Sequence, residues 1–272
     1  MTLHRGILPA LLSVVSAIAQ DETKVDIGTH KLNLVCTGTT GARPVVILEA
    51  GGGGSSAMWK DVQAALPKTI RACAYDRAGT GKSDPGPAPR SMEAEVADLD
   101  ALLRKAHITE PIVYVGHSLG GLLARLFAQR YPASLAAVVL LDPTDENDIV
   151  FNTKLNRWMP VRELEGSLGD GARSVAKARQ ADPATFGARP LVVIGAGKRT
   201  QSPGTSAEQW REMRTSRDER VKALTQLSRN SKFILDPISS HNVPHDNPKL
   251  VAETIQAVMN QLSRTRNAGQ KR

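Results

Sequence analysis

The chain is expected to be an α/β protein: a mainly parallel eight-stranded sheet covered by helices on both faces, with a small cap inserted between strands six and seven. Three observations lead there. Short apolar runs alternate with amphipathic stretches along most of the chain, the pattern of strands joined by crossover helices. Most of these runs are continuously apolar, as in Pro44–Leu48 and Leu135–Leu141, which suits strands buried on both faces of a parallel sheet. The stretch Val115-Gly116-His117-Ser118-Leu119-Gly120-Gly121 places a Gly-x-Ser-x-Gly pattern between a strand-like run and a helix-like run. That is the strand–turn–helix setting of a nucleophile elbow.

The elements follow in order. Lys24–Gly28 and His30–Thr37 read as two short opening strands that form an antiparallel edge, the second alternating Leu32, Leu34 and Cys36 on one face. Pro44–Leu48 is a buried strand that opens into Gly51-Gly52-Gly53-Gly54, then a helix carrying Met58, Trp59, Val62 and Leu66. Consecutive glycines after a buried strand suit a loop whose backbone N–H groups approach a ligand closely. Ile70–Tyr75 is the next strand. It runs into a Gly/Pro-rich loop, and an amphipathic helix spans Glu93–His107 with Val96, Leu99, Leu102 and Leu103 on one face. The elbow strand and helix end near Tyr131-Pro132. Leu135–Leu141 is closed by Asp142-Pro143, and residues 145–187 then break the alternation, an irregular, partly helical insert. Leu191–Ile194, a charged helix over Ala207–Arg229, a last strand at Phe233–Leu235 and a closing helix over Pro248–Leu262 complete the domain. Residues 265–272 form a basic tail expected to be disordered.

Composition bounds the function. The 272 residues are 41% hydrophobic and 23% charged, which suits one globular domain with a large, mostly aliphatic core, since aromatics make up only 4%. His4 and Arg5 precede an apolar run ending in Ala17-Ile18-Ala19, so residues 1–19 read as a cleaved signal peptide and the domain begins at residue 20. The apolar run is too short to span a bilayer. The mature chain is therefore expected to be exported, periplasmic or extracellular, without stable membrane insertion. In that setting Cys36 and Cys73 are a candidate disulfide.

The net charge of +8 is concentrated late, with Arg211, Arg214, Arg217, Arg220 and Lys222 in one helical stretch. Glu208, Glu212, Asp218 and Glu219 alternate with them and aromatics are few, so the stretch reads as a solvated helix face and no nucleic-acid partner is expected. Gly79-Thr80-Gly81-Lys82-Ser83 is not a phosphate loop. The first glycine of that motif would fall at Asp76, and Pro85 and Pro87 deny the helix it needs. No cofactor and no metal are expected.

A serine hydroxyl needs a base, usually a histidine held by a carboxylate. His4 lies in the leader, His30 in an edge turn, and His107 at the end of a surface helix. His117 adjoins Ser118 across a sharp elbow and reads as packing. His241 and His245 remain, both in the loop after the last strand. His241 is preferred because His245 runs directly into the helix entry Asp246-Asn247-Pro248. The loop after Ile194 carries no acid before Glu208. The strand before it ends in Leu141-Asp142-Pro143, which makes Asp142 the orienting acid with Asp145 in reserve.

These residues resemble the α/β-hydrolases over nearly the whole mature chain. The order Ser118, Asp142, His241 is that family's order, and Gly116-His117-Ser118-Leu119-Gly120-Gly121 looks like its elbow. Tyr75-Asp76-Arg77-Ala78-Gly79-Thr80-Gly81-Lys82-Ser83 is similar to its Asp-Arg-x-Gly-x-Gly-x-Ser loop. Two departures stand out. The usual His-Gly after the third strand is Ala50-Gly51, and the acid has moved from the seventh strand to the sixth, as in pancreatic-type lipases. The resemblance implies a serine hydrolase acting on small-molecule carboxylic esters. Its oxyanion hole would be the N–H groups of Gly52 (or Gly51 or Gly53) and Leu119. Trp158 and Met159 either line an acyl pocket or pack the cap. The family's strand order would also set the Cys36 and Cys73 strands side by side. A peptidase, lactonase or acyltransferase on the same residues, or a non-catalytic binding protein of the same fold, are the alternatives.

Overall fold

A computed structural model of the chain describes residues 20–269 except 153, 156, 202 and 203; the expected leader at 1–19 lies outside the described residues. In chain order the elements are β1 (Asp21–Asp26), β2 (Lys31–Thr37), β3 (Val46–Glu49), α1 (Lys60–Ala65), β4 (Ala72–Tyr75), α2 (Met92–Lys105), β5 (Ile112–His117) and α3 (Leu119–Arg130). They continue with β6 (Leu135–Leu141), β7 (Ile149–Asn152), β8 (Arg157–Pro160), α4 (Ser167–Ala181), β9 (Pro190–Ala196), α5 (Ala207–Ala223), β10 (Asn230–Asp236), α6 (Val243–Asp246) and α7 (Pro248–Gly269).

Eight strands form one sheet in the order β1-β2-β4-β3-β5-β6-β9-β10. β2 pairs antiparallel with both β1 and β4, and every pairing from β4 to β10 is parallel. Parallel strands need crossovers, and these place helices on both faces. The apolar strands therefore divide their side chains between two cores. Ile47, Tyr114, Val138 and Val193 enter one with residues of α2, α3 and α4. Leu48, Val115, Val139 and Ile194 enter the other with residues of α1, α6 and α7. Two-sided burial is why these strands lack polar alternation. Among the described residues, no helix is long and apolar enough to cross a membrane.

Three segments differ from the reading of the sequence. Of the expected cap at 145–187, only the β7–β8 hairpin stands apart as its own two-stranded sheet. Helix α4 packs on α2 and α3 instead. Its Ala172 and Val175, one helical face, are buried in the core, and that apolar stripe holds it on the sheet. The charged helix stops at Ala223 rather than Arg229, because Leu224 and Leu227 turn into the core on a short 3₁₀ segment. The expected disordered tail is helical as far as Gly269, with no helix breaker before it and Arg266 in the last turn, where a cation suits the helix dipole.

Cys36 and Cys73 are direct cross-strand partners on β2 and β4 and form a disulfide spanning a sequence separation of 37. Both are buried. Closing a loop of that length removes unfolded-state entropy worth about 3–4 kcal/mol. The double variant C36A/C73A should lose about that much unfolding free energy in a urea titration and keep the same far-UV spectrum. An unchanged midpoint would show that the cross-link contributes nothing.

Candidate active site

The parallel strands β3, β5, β6, β9 and β10 are consecutive neighbours in the sheet, and their carboxyl ends lie along one edge. Ligands of open α/β sheets bind at that edge. Each of these strand ends delivers a polar group: Gly51 and Gly52 after β3, Ser118 after β5, Asp142 after β6, Arg199 after β9 and His241 after β10.

Ser118 has φ +53°, a left-handed conformation that a non-glycine residue adopts only when its surroundings hold it. The turn is held from both sides. Ser118 N–H donates to Leu141 O at 3.1 Å, and Ser118 O accepts from Gly121 N–H and Thr144 N–H, both at 2.9 Å. Gly120 lies so close to β3 that a Cβ there would stand 2.7 Å from Glu49 O, which accounts for the second glycine of the pattern.

From the elbow a continuous chain of hydrogen bonds runs inward. Ser118 Oγ–H donates to His241 Nε2 at 2.9 Å, and His241 Nδ1–H donates to Asp142 Oδ2 at 2.6 Å. The second bond sets the imidazole tautomer, leaving Nε2 free to accept. The His241 side chain is about half exposed, whereas Asp142 is fully buried. Asp142 is also left-handed at φ +38°, with its N–H on Ile194 O at 2.7 Å. Burial opposes its ionised form. The His241 hydrogen bond and the Arg217 and Arg199 guanidinium groups outweigh that and hold its carboxyl well below the usual range.

The reserve residues lie elsewhere. Asp145 accepts from Asn147 N–H at 2.8 Å and Arg179 at 3.2 Å, not from His241. His245 is exposed and paired with Asp246.

The loop after β3 is set by a second buried carboxylate. Glu49 accepts from Tyr75 Oη–H, from Tyr114 Oη–H at 3.1 Å and from Arg77 Nη1 at 2.5 Å. Burial and the Glu49 charge push both phenols well above their ordinary range, so they stay protonated donors. Arg77 also donates to Ala50 O at 2.8 Å and Gly51 O at 2.6 Å. A trans peptide points its C=O and N–H in opposite directions. Fixing these carbonyls on Arg77 therefore turns the Gly51 and Gly52 N–H groups away from Arg77, and a Cβ at Gly52 would meet Leu119 at 3.7 Å. Leu119 opens α3, so its N–H has no intrahelical acceptor.

His117 does more than pack. Its Nε2–H donates to His241 O at 2.7 Å, and the two rings lie 4.9 Å apart. It thus braces the loop that carries His241. Its Nδ1 is buried without a partner among the described residues, facing Gly51, where a Cβ would come within 2.9 Å. The bare backbone at Gly51, in place of a side chain, is the sequence signal that could have found this contact.

Above Ser118 and His241 lies a cavity of about 500 Å³. Its apolar wall is Ile149, Val150, Trp158 and Val161 from the hairpin side and Trp210 and Met213 from α5. Trp158 lines it; Met159 does not. Met159 is buried at 5% exposure and is absent from the cavity lining. The charged helix α5 is therefore a wall of the cavity as well as a solvated surface, which periodicity could not show.

The sequence profile described as the alpha/beta hydrolase fold matches residues 44–219. The chain belongs to that family. The uncharacterised protein YqjL of Bacillus subtilis is 31% identical over 210 residues, covering 76% of this chain and 79% of the relative. A putative carbamate hydrolase, RutD of Klebsiella pneumoniae, is 37% identical over 113 residues, 41% of this chain and 42% of its own. Among solved structures, a thermophilic esterase from Thermogutta terrifontis superposes at a TM-score of 0.61 with 21% identity, covering 90% of this chain and 99% of that one. The serine hydrolase CarC, involved in carbazole degradation, superposes at 0.64 with 16% identity, covering 89% and 100%. At such identities the likeness is one of fold, and membership of the family supports a hydrolase.

Burial pushes the His117 imidazole down to about 4, outweighing the His241 carbonyl that favours its charged form. Long-range ¹H–¹⁵N NMR should therefore find His117 neutral with its proton on Nε2 throughout the neutral range, titrating near 4. Titration at the ordinary histidine value of about 6.5 would contradict the buried brace.

Proposed function

We propose that the protein is an exported serine hydrolase that cleaves small-molecule carboxylic esters through an acyl-enzyme. The observation that carries this reading is the unbroken path from Ser118 Oγ through His241 to the buried Asp142, opening on a cavity with one apolar wall and an arginine-lined side. His241 Nε2 takes the Ser118 proton as Oγ attacks the ester carbonyl. The N–H groups of Gly52 and Leu119 receive the negative charge that develops on the carbonyl oxygen. His241, now protonated, gives its proton to the leaving alkoxide. A water molecule then repeats the sequence on the acyl-enzyme, with His241 again the base. Asp142 holds the tautomer and stabilises the transient imidazolium. Trp158, with the apolar wall, would contact the acyl or alcohol chain.

Export is supported by the Ala17-Ile18-Ala19 leader pattern and by the Cys36–Cys73 disulfide, since such bonds persist in oxidising compartments. A carbamate is the second reading, favoured by the partial match to a putative carbamate hydrolase. It needs the same acyl-transfer chemistry on a less reactive carbonyl.

A fluorophosphonate probe should label the purified protein at Ser118, and Ser118→Ala should abolish labelling. Labelling that survives Ser118→Ala would sink the proposal. With a panel of p-nitrophenyl esters, lactones and carbamates, kcat should be highest on an ester. Asp142→Asn should lower kcat by roughly 10⁴-fold, as loss of the orienting acid does in the triad template.

A further inference from the structure

The Asp142 carboxylate is shared. Besides His241 on Oδ2, it takes Arg199 Nη2 on Oδ1 at 2.7 Å and Arg199 Nη1 on Oδ2 at 3.3 Å, with Ala196 N–H on Oδ1 at 3.3 Å. Arg199 stands in the loop after β9, the stretch that carries no acid of its own. Its guanidinium is largely buried and is anchored on its other side by Asp218 of α5 through Nε at 3.0 Å. The fork is thus held rigidly between a surface helix and the acid.

The other groups that face this carboxylate are few. Arg217 of α5 lies 3.7 Å from Oδ2, but it donates to Pro143 O at 2.9 Å and ion-pairs with Asp148. Arg220 pairs with the same Asp148 at 3.3 Å. Asp148 is thus shared by two arginines, as Asp218 answers Arg199, and Arg217 also bears on the charge of Asp142. His117, across the elbow, stays neutral over the working range. Arg199 is the arginine, among the described residues, whose fork spans both oxygens of Asp142.

We propose that Arg199 is a positioning residue of the triad acid. It fixes the carboxylate plane against His241 Nδ1 and, by drawing on the same negative charge, tempers the hold of Asp142 on the imidazolium that forms when His241 takes the Ser118 proton. The two effects are separable. A bidentate fork orients, which a point charge does not. A nearby cation disfavours the imidazolium, whatever its shape. The inference rests on the Ser118–His241–Asp142 reading above.

The test is the pH profile of kcat/KM for a neutral p-nitrophenyl ester, with wild type, R199K and R199M compared. R199M should lose roughly 10- to 100-fold in kcat with little change in KM, and its acid limb should move to higher pH, because a cation that opposes the imidazolium is gone. R199K keeps the charge and loses the fork, so its acid limb should stay near wild type while kcat falls. The pH dependence of the fluorophosphonate labelling rate should shift in the same way. A merely structural role would lower activity in both variants and leave both acid limbs in place. That result, or an R199K limb displaced as far as that of R199M, overturns the inference. If R199M does not fold, R199Q takes its place as the charge-free variant. Wild type that labels at Ser118 but shows no Arg199 effect refutes this inference alone. Wild type that fails to label refutes the reading beneath it as well.

Discussion

A fully buried carboxylate at the end of β6 is the constraint on which the site depends. An ionised Asp142 with no exposure would be prohibitively costly without compensation. The fold answers it from three directions: His241 from the β10 loop, Arg199 and Ala196 N–H from the end of β9, and Arg217 from α5. Each partner is thereby fixed in place by the same charge. The left-handed backbone at Asp142 and at Ser118 belongs to this arrangement, since the loops after β5 and β6 are hydrogen-bonded to one another through Ser118 and Thr144.

A second buried carboxylate plays the matching part on the other side of the serine. Glu49, at 1% exposure, is satisfied by two phenols and Arg77, and Arg77 in turn fixes the carbonyls of Ala50 and Gly51. Two ion-pair networks, one under His241 and one under the glycine loop, hold the two halves of the site against a rigid parallel sheet. Polar groups this deeply buried add little net stability when paired, yet removing one partner leaves an uncompensated charge. Their effect is orientation, which is what the proposed acyl transfer requires.

The fold was largely legible in the sequence because two-sided burial leaves continuous apolar runs that few other arrangements produce, and the parallel sheet with its antiparallel edge follows from them. The elbow was legible because its glycines are demanded by close backbone approach. Asp142 and His241 could be chosen because each stands in a loop directly after a strand run, and the structure brings both within hydrogen-bond distance of their neighbours. What lay hidden was whatever long-range pairing decides. Arg199 and Arg217 lie 57 and 75 residues from Asp142, and arginines in charged helices and loops ordinarily face water. The brace from His117 to the His241 carbonyl, and the burial of Met159 outside the cavity lining, are likewise tertiary facts. Helix α4 was assigned to a cap because its apolar stripe does not say which surface it will cover.

The central claim is that Ser118 becomes acylated. Intact-mass and peptide mass spectrometry on protein acid-quenched during turnover of a slow ester tests it most directly. The account predicts an added acyl mass on the peptide containing Ser118, accumulating within the first turnover. Steady ester turnover with no adduct on that peptide, or with the acyl group on another residue, would contradict it.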